Sequence, residues 1–175
     1  ENSAKWEDIV CNDGAKEKIS EVLLYPEYIS AVLDGENVNL SCLPAPCRTV
    51  LVHGPPGNGK TMLVKSAARA MRAPIYCVTS ADFLSQWLGE SEKAIRNMFQ
   101  TLKQTNRCIL FIDEVDAIFS VRAGRCGTKS READCERRVK TEFLVCLQDL
   151  LDSPGFDGFF FAATNLPSEL DTAFL

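Results

Sequence analysis

The chain has 175 residues, a formal net charge of −5, 46% hydrophobic and 25% charged residues, the composition of a single soluble globular domain that needs neither metals nor disulfides to build a core. The acidic balance argues against nucleic acid as a partner, because sequence-independent binding needs a basic surface. The longest apolar runs, Cys108–Ile112 and Phe159–Ala163, fall far short of the ~20 residues that cross a bilayer, so no integral membrane segment is expected.

In chain order, Asn12 or Asp13 can cap a helix through Ala15, Ile19, Val22 and Leu23, with Pro26 near its end. Residues Gly35–Pro46 read as loop. Thr49–His53 is the first buried strand, and after a glycine-rich segment the spacing of Leu63, Ala67 and Ala70 predicts a helix over Thr61–Met71. A second strand is predicted at Ile75–Val78. A helix over Ser91–Leu102 puts Ala94, Ile95, Met98, Phe99 and Leu102 on one face. Cys108–Ile112 is the third strand, a long helix covers about Arg131–Leu150, and Phe159–Thr164 is the fourth strand. Ser168 is placed to cap a further helix running to Leu175. Strands alternating with helices specify an α/β fold, a parallel sheet sandwiched by helices. No repeat or second domain boundary interrupts it, so residues 1–175 read as one domain. The sheet lacks a strand to protect its edge after the last helix, so the domain is expected to be incomplete at its C-terminal end.

Gly54-Pro55-Pro56-Gly57-Asn58-Gly59-Lys60-Thr61 matches G-x-x-x-x-G-K-[ST] between a predicted strand and a predicted helix. Glycines let the backbone curl so that successive N–H groups point at phosphates, and the helix N-terminus adds partial positive charge. Lys60 would reach the β and γ phosphates of ATP and the Thr61 hydroxyl would ligate Mg²⁺. Met62, next in the helix, completes the expected nucleotide-contacting set. Asp113-Glu114 follows the third strand at the C-terminal edge of a parallel sheet, where ligands bind. Asp113 would hold Mg²⁺ and Glu114 would accept the proton of the attacking water; a solvated acidic turn is the other reading. Asn165, after the fourth strand, either orients that water and touches the γ-phosphate or merely forms a turn.

Eight cysteines contain no Cys-x-x-Cys pair and there is one histidine, His53. No zinc site is expected, and the cysteines inside apolar segments read as small hydrophobes of a reducing, cytoplasmic setting.

Three strand-end sites in this order resemble the AAA family of ring-forming ATPases, with Gly54–Thr61, Asp113-Glu114 and Asn165 as Walker A, Walker B and sensor 1. Trp6-Glu7-Asp8-Ile9, Gln86-Trp87-Leu88-Gly89-Glu90-Ser91-Glu92-Lys93, Arg137-Arg138-Val139-Lys140-Thr141-Glu142-Phe143-Leu144 and Ala163-Thr164-Asn165-Leu166-Pro167 resemble the meiotic clade. That clade holds the endosomal-sorting ATPase that dismantles ESCRT-III filaments and the microtubule-severing katanin, spastin and fidgetin. The second and third of these stretches lean towards the endosomal-sorting member.

The resemblance implies further roles. Asp8 and Ile9 would contact adenine. Trp87 and Leu88 would form a pore loop gripping a threaded protein substrate, ESCRT-III or tubulin tails, where a core tryptophan is the competing reading. The run Gly124–Cys135 would be a second pore loop, with Arg125, Lys129 and Arg131 lining an approach for acidic substrate or simply solvated. Arg137 and Arg138 would face a neighbouring subunit's nucleotide or the pore, or else pair on the helix surface with Glu132, Asp134 or Glu136. The full protein would assemble into a hexameric ring, bind ATP or ADP, and lie in the cytoplasm, peripheral to the endosomal membrane.

There are departures. Val10-Cys11 stands where relatives have Ala-Gly, Asn58 replaces the usual threonine, and the loop Gly35–Cys47 is unlike its relatives and carries no assignment. In the family the arginines that reach a neighbour's ATP follow the segment resembling Leu170–Leu175, and a helical lid comes later. Residues 1–175 alone are therefore expected to be monomeric and to hydrolyse ATP feebly, since loss of such an arginine costs on the order of 10³-fold in rate. The sequence is compatible with three functions: remodelling of ESCRT-III, severing of microtubules, and a nucleotide-gated ring scaffold that does not turn over. Glu114 argues against the scaffold. No Asn-Lys-x-Asp segment supports a GTPase.

Overall fold

The computed structural model describes residues 6, 9, 14–23, 47–80, 92–120, 131–171 and 174, with backbone alone at 92 and 131–136. The expected helix at Asn12 or Asp13 is present over the helical residues 14–23 (α1); its cap and Pro26 lie outside the described residues. Then follow β1 (Thr49–His53), α2 (Lys60–Ala70), β2 (Ile75–Val78), α3 (Glu92–Gln104), β3 (Ile109–Ile112), α4 (Val115–Phe119), α5 (Arg131–Leu151) and β4 (Phe159–Thr164). Among the described residues the four strands are parallel, in the order β1-β4-β3-β2. Parallel neighbours require long crossovers, which the helices supply.

Period-two alternation explains the layering. In β3, Ile109 and Phe111 pack with Leu63, Val64 and Ala67 of α2 and Ile19 and Leu23 of α1. Leu110 and Ile112 point the other way, into a cluster with Ile95, Phe99 and Leu102 of α3 and Val139, Phe143 and Leu147 of α5. Both β3 and β4 are buried along their whole length, so their sequences are continuously apolar rather than alternating. The sheet is sandwiched between α1 and α2 on one face and α3, α4 and α5 on the other.

The boundaries of β1, β2 and β4 match the sequence reading. Helix α2 begins and ends one residue earlier than its spacing suggests. Gly59 is its left-handed N-cap, and at the other end Met71 N–H bonds to Ala67 O while Arg72 turns left-handed with φ 53°. Strand β3 starts at Ile109 rather than Cys108, although Cys108 is fully buried.

Two expectations are corrected. The short helix α4 directly after Glu114 is absent from the sequence reading, because five residues are too few to show a helical period. Among the described residues the helix capped by Ser168 is absent. Pro167–Glu169 make one 3₁₀ turn with no side-chain cap, and Leu170 is then extended, bridging Ser120 in antiparallel fashion. Asp171 N–H donates to Phe119 O at 2.9 Å and Phe174 stacks on Phe119 with ring centroids 4.7 Å apart. Burial of Leu170 against the α4 end overrides local helical preference.

Candidate active site

Strand and turn geometry gather the motif residues at the C-terminal edge of the sheet. Adjacent parallel strands β1 and β4 are in register from Thr49 with Phe160 to His53 with Thr164, so Gly54 and Asn165 emerge side by side. Gly54 N–H donates to Thr164 O at 3.3 Å, extending that pairing into the loop. Gly57 and Gly59 have φ of 82° and 77°, conformations that cost an L side chain about 1–2 kcal/mol. The first turn of α2 carries no acidic residue, and no side chain caps it. Its N–H groups and the positive end of its dipole are thus directed at the loop, a built anion site.

Lys60 is the hub. Its ammonium donates to Gly54 O at 2.8 Å, Pro55 O at 3.0 Å and Asn165 Oδ1 at 2.7 Å. Its three protons therefore already sit against oxygen, as they would against phosphate oxygens. The next residue, Thr61, donates its hydroxyl to Asp113 Oδ2 at 2.6 Å. One hydroxyl and one carboxylate from different elements are thus within a single ion's reach, and hard oxygen donors of this kind suit Mg²⁺. Asp113 is held in turn by its backbone, whose N–H donates to Val78 O at 3.2 Å, and by its Oδ1, which accepts from Glu114 N at 3.0 Å.

Glu114 is exposed and left-handed, with φ 53° and ψ 48°, and forms the N-cap of α4. A non-glycine residue held there stores of order 1–3 kcal/mol of strain. Helix α4 starts at once behind it, which turns the chain sharply so that Asp113 and Glu114 stay at the sheet edge while Val115 enters the core.

The structure brings together Gly54, Lys60, Thr61, Asp113 and Asn165. Pro55, Pro56, Gly57 and Asn58 are exposed around them, as is Met62 at 46%. Ile9 is 5% exposed, its side chain packed in a cluster with Leu63 and Ile19. Lys16 Nζ donates to Ile9 O at 3.4 Å and lies 5.5 Å from the Trp6 ring centroid. Arg137 and Arg138 are exposed on α5, on the face of the sheet opposite α2. Asp8, Trp87, Leu88, Arg125 and Lys129 lie outside the described residues, as do the side chains of Arg131 and of the partners considered for Arg137 and Arg138.

One residue at the site escaped the sequence reading. Asp116 Oδ1 accepts from Thr164 Oγ1 at 2.6 Å and from Asn165 N at 3.2 Å. Its only sequence signal was its position three residues after Asp113.

The chain matches a family model described as the ATPase family associated with various cellular activities (AAA) over residues 50–175. It is 37% identical over 174 residues to mouse (Mus musculus) vacuolar protein sorting-associated protein 4B, covering 98% of this chain and 36% of that protein. It is 38% identical over 174 residues to Xenopus laevis spastin, covering 99% and 27% respectively. The crystal structure of the FIGL-1 AAA domain in complex with ADP superposes with a TM-score of 0.74 at 32% identity, over 99% of this chain and 52% of that one. The chain spans only about a quarter to just over a third of the length of these curated relatives. With relatives of the sorting, spastin and fidgetin-like kinds, and with the phosphate loop, acidic pair and strand-end asparagine converging as described, this chain belongs to the AAA family of ATPases, in its meiotic clade.

Proposed function

We propose that the protein binds and hydrolyses ATP-Mg and uses the energy to remodel protein assemblies. The observation that carries this is the convergence of Lys60 on Asn165 and of Thr61 on Asp113, with Glu114 as the next residue. Lys60 and the loop Gly54–Thr61 hold the phosphates, with Met62 following them in the helix. Thr61 and Asp113 supply oxygen ligands to Mg²⁺, which when bound neutralises phosphate charge. Glu114 takes the proton from the attacking water, and Asn165 donates to that water or to the γ-phosphate. Asp8 and the Ile9 backbone receive the adenine. The residues 1–175 form a single large α/β subdomain.

Among assemblies, ESCRT-III filaments in endosomal and vacuolar sorting are the favoured substrate, worked on by a hexameric ring in the cytoplasm, peripheral to the endosomal membrane. Trp87 and Leu88 grip the threaded polypeptide, and Arg137 and Arg138 face a neighbour. Similarity to a vacuolar protein sorting-associated relative supports this. The comparable identity to spastin supports microtubule severing as the second reading. Co-sedimentation of the full-length protein with microtubules, rather than with ESCRT-III polymers, would decide for severing.

Glu114→Gln in the full-length protein tests the chemistry. It keeps the shape and removes the base, so ATP binding is retained while turnover falls by about 10²-fold or more. Unchanged turnover would sink the mechanism. Turnover undetectable in the parent itself would favour a non-hydrolysing scaffold.

A further inference from the structure

We propose that Asp116 is a positioning residue for Asn165, clamping the end of β4 so that the Asn165 amide is presented to the γ-phosphate. This rests on the reading of Asn165 given above and adds to it the group that makes it work. Thr164 is 1% exposed, one of two buried polar residues among those described. Its hydroxyl has a single proton, and that proton is committed to Asp116 Oδ1 at 2.6 Å, since an ionised carboxylate only accepts. The oxygen's lone pairs are thereby left for Leu166 N–H, which donates to Thr164 Oγ1 at 3.0 Å. Asn165 N–H donates to the same Asp116 oxygen at 3.2 Å, and Thr164 O accepts from Gly54 N.

The backbone on each side of Asn165 is therefore fixed, and the N–H groups of residues 165 and 166 are both satisfied through Asp116 or the hydroxyl it orients. Asn165 is left one side chain to place. Lys60, a pure donor, takes its Oδ1, which leaves the NH₂ to donate to an anion or a water. Asp116 sits two residues after Glu114 and three after Asp113. One short segment thus carries the metal ligand, the base and the clamp for the residue on the neighbouring strand. Removing the carboxylate lets the Thr164 hydroxyl turn, loosens residues 164–166 and costs the γ-phosphate its donor. Asp116 itself bonds to neither Lys60 nor the loop, so the β-phosphate contacts are expected to suffer less.

The test is the ratio of affinities for ADP-Mg and for a non-hydrolysable ATP analogue with Mg²⁺, measured by calorimetry on the full-length protein alongside its melting temperature. Asp116→Ala, Thr164→Val and Asn165→Ala are each expected to weaken the analogue about tenfold relative to ADP, the worth of one hydrogen bond to a charged group. The double variant Asp116→Ala/Asn165→Ala is expected to lose no more than either single one, because the two act as a unit. Asp116→Asn, whose amide oxygen still accepts from both donors, and Thr164→Ser are expected to keep the parental ratio. A purely structural role would lower the melting temperature and weaken both nucleotides together. If Asp116→Ala does not fold, Thr164→Val decides. A parental ratio in Asp116→Ala or Thr164→Val, or additive losses in the double variant, overturns the inference provided Asn165→Ala shows the loss. A parental ratio in Asn165→Ala overturns the underlying reading of that residue instead.

Discussion

Lys60 Nζ and Asn165 Oδ1 meet at 2.7 Å although they lie 105 positions apart. The contact ties the first turn of α2 to the end of β4, and it orients the amide, since an ammonium can only donate. Lys60→Met removes this bond and those to Gly54 O and Pro55 O. Affinity for ATP-Mg is expected to fall at least tenfold, the loss of one charge-assisted bond to phosphate, as titration with a fluorescent nucleotide would measure. Unchanged affinity would remove Lys60 from the phosphate site.

Glu114 is a left-handed residue in an otherwise ordinary turn. Asparagine tolerates that conformation better than glutamate. Glu114→Asn is therefore expected to stabilise the fold by roughly 0.5–1 kcal/mol while abolishing turnover, a gain of about 1–4 °C in melting temperature for a domain of this size. Calorimetric melting checks it, and a lower melting temperature would contradict the strain.

Phe143 joins three elements to α5. Its ring is edge-on to Phe99 at 5.2 Å and tilted to Phe119 at 5.9 Å and Phe160 at 6.5 Å, and it is fully buried. Phe143→Ala is expected to cost about 3–5 kcal/mol, read from the urea midpoint at constant slope. A cost under about 1 kcal/mol would mean the core can collapse around the gap.

Arg96 on α3 and Glu142 on α5 form an ion pair. The hydrogen bond from Arg96 holds the Glu142 carboxyl below its ordinary value of 4.5. A depressed carboxyl contributes stability that is fully present above the unfolded value near 4.5 and is lost as pH falls through the folded one. Both groups meet solvent, so Arg96→Ala is expected to cost under about 1 kcal/mol at pH 7 and less at an acid pH where the carboxyl is protonated. Urea melts at the two pH values test this; an equal cost at both would assign the effect to packing.

Burial pushes the Cys108 thiol from 9.0 to about 11. At neutral pH its thiolate fraction is then about a hundredfold below that of an ordinary thiol, and the thiolate is the reactive form. Iodoacetamide followed by peptide mapping is expected to label exposed Cys47 long before Cys108. In urea the two should label at similar rates, and native labelling of Cys108 at the Cys47 rate would show that the chain opens just ahead of β3.

The α/β class, three of the four strand boundaries and the residues of the phosphate loop were legible in the sequence. The signals there are local: apolar runs that pack on both faces, and a glycine and lysine spacing dictated by backbone curvature around phosphate. Asp113, Glu114 and Asn165 were legible because they follow strands whose ends a parallel sheet gathers on one edge. The tertiary structure alone decided how these ends meet. Strand order set β4 between β1 and β3, which placed Asn165 beside Lys60 and brought Asp116 under Thr164. Nothing within a few residues of Asp116 encodes a partner 48 positions away. The failed helix at Ser168 has the same cause. A cap and helical spacing are local preferences worth about 1 kcal/mol, and burial of Leu170 and Phe174 against Phe119, a contact made only in the folded core, outweighs them.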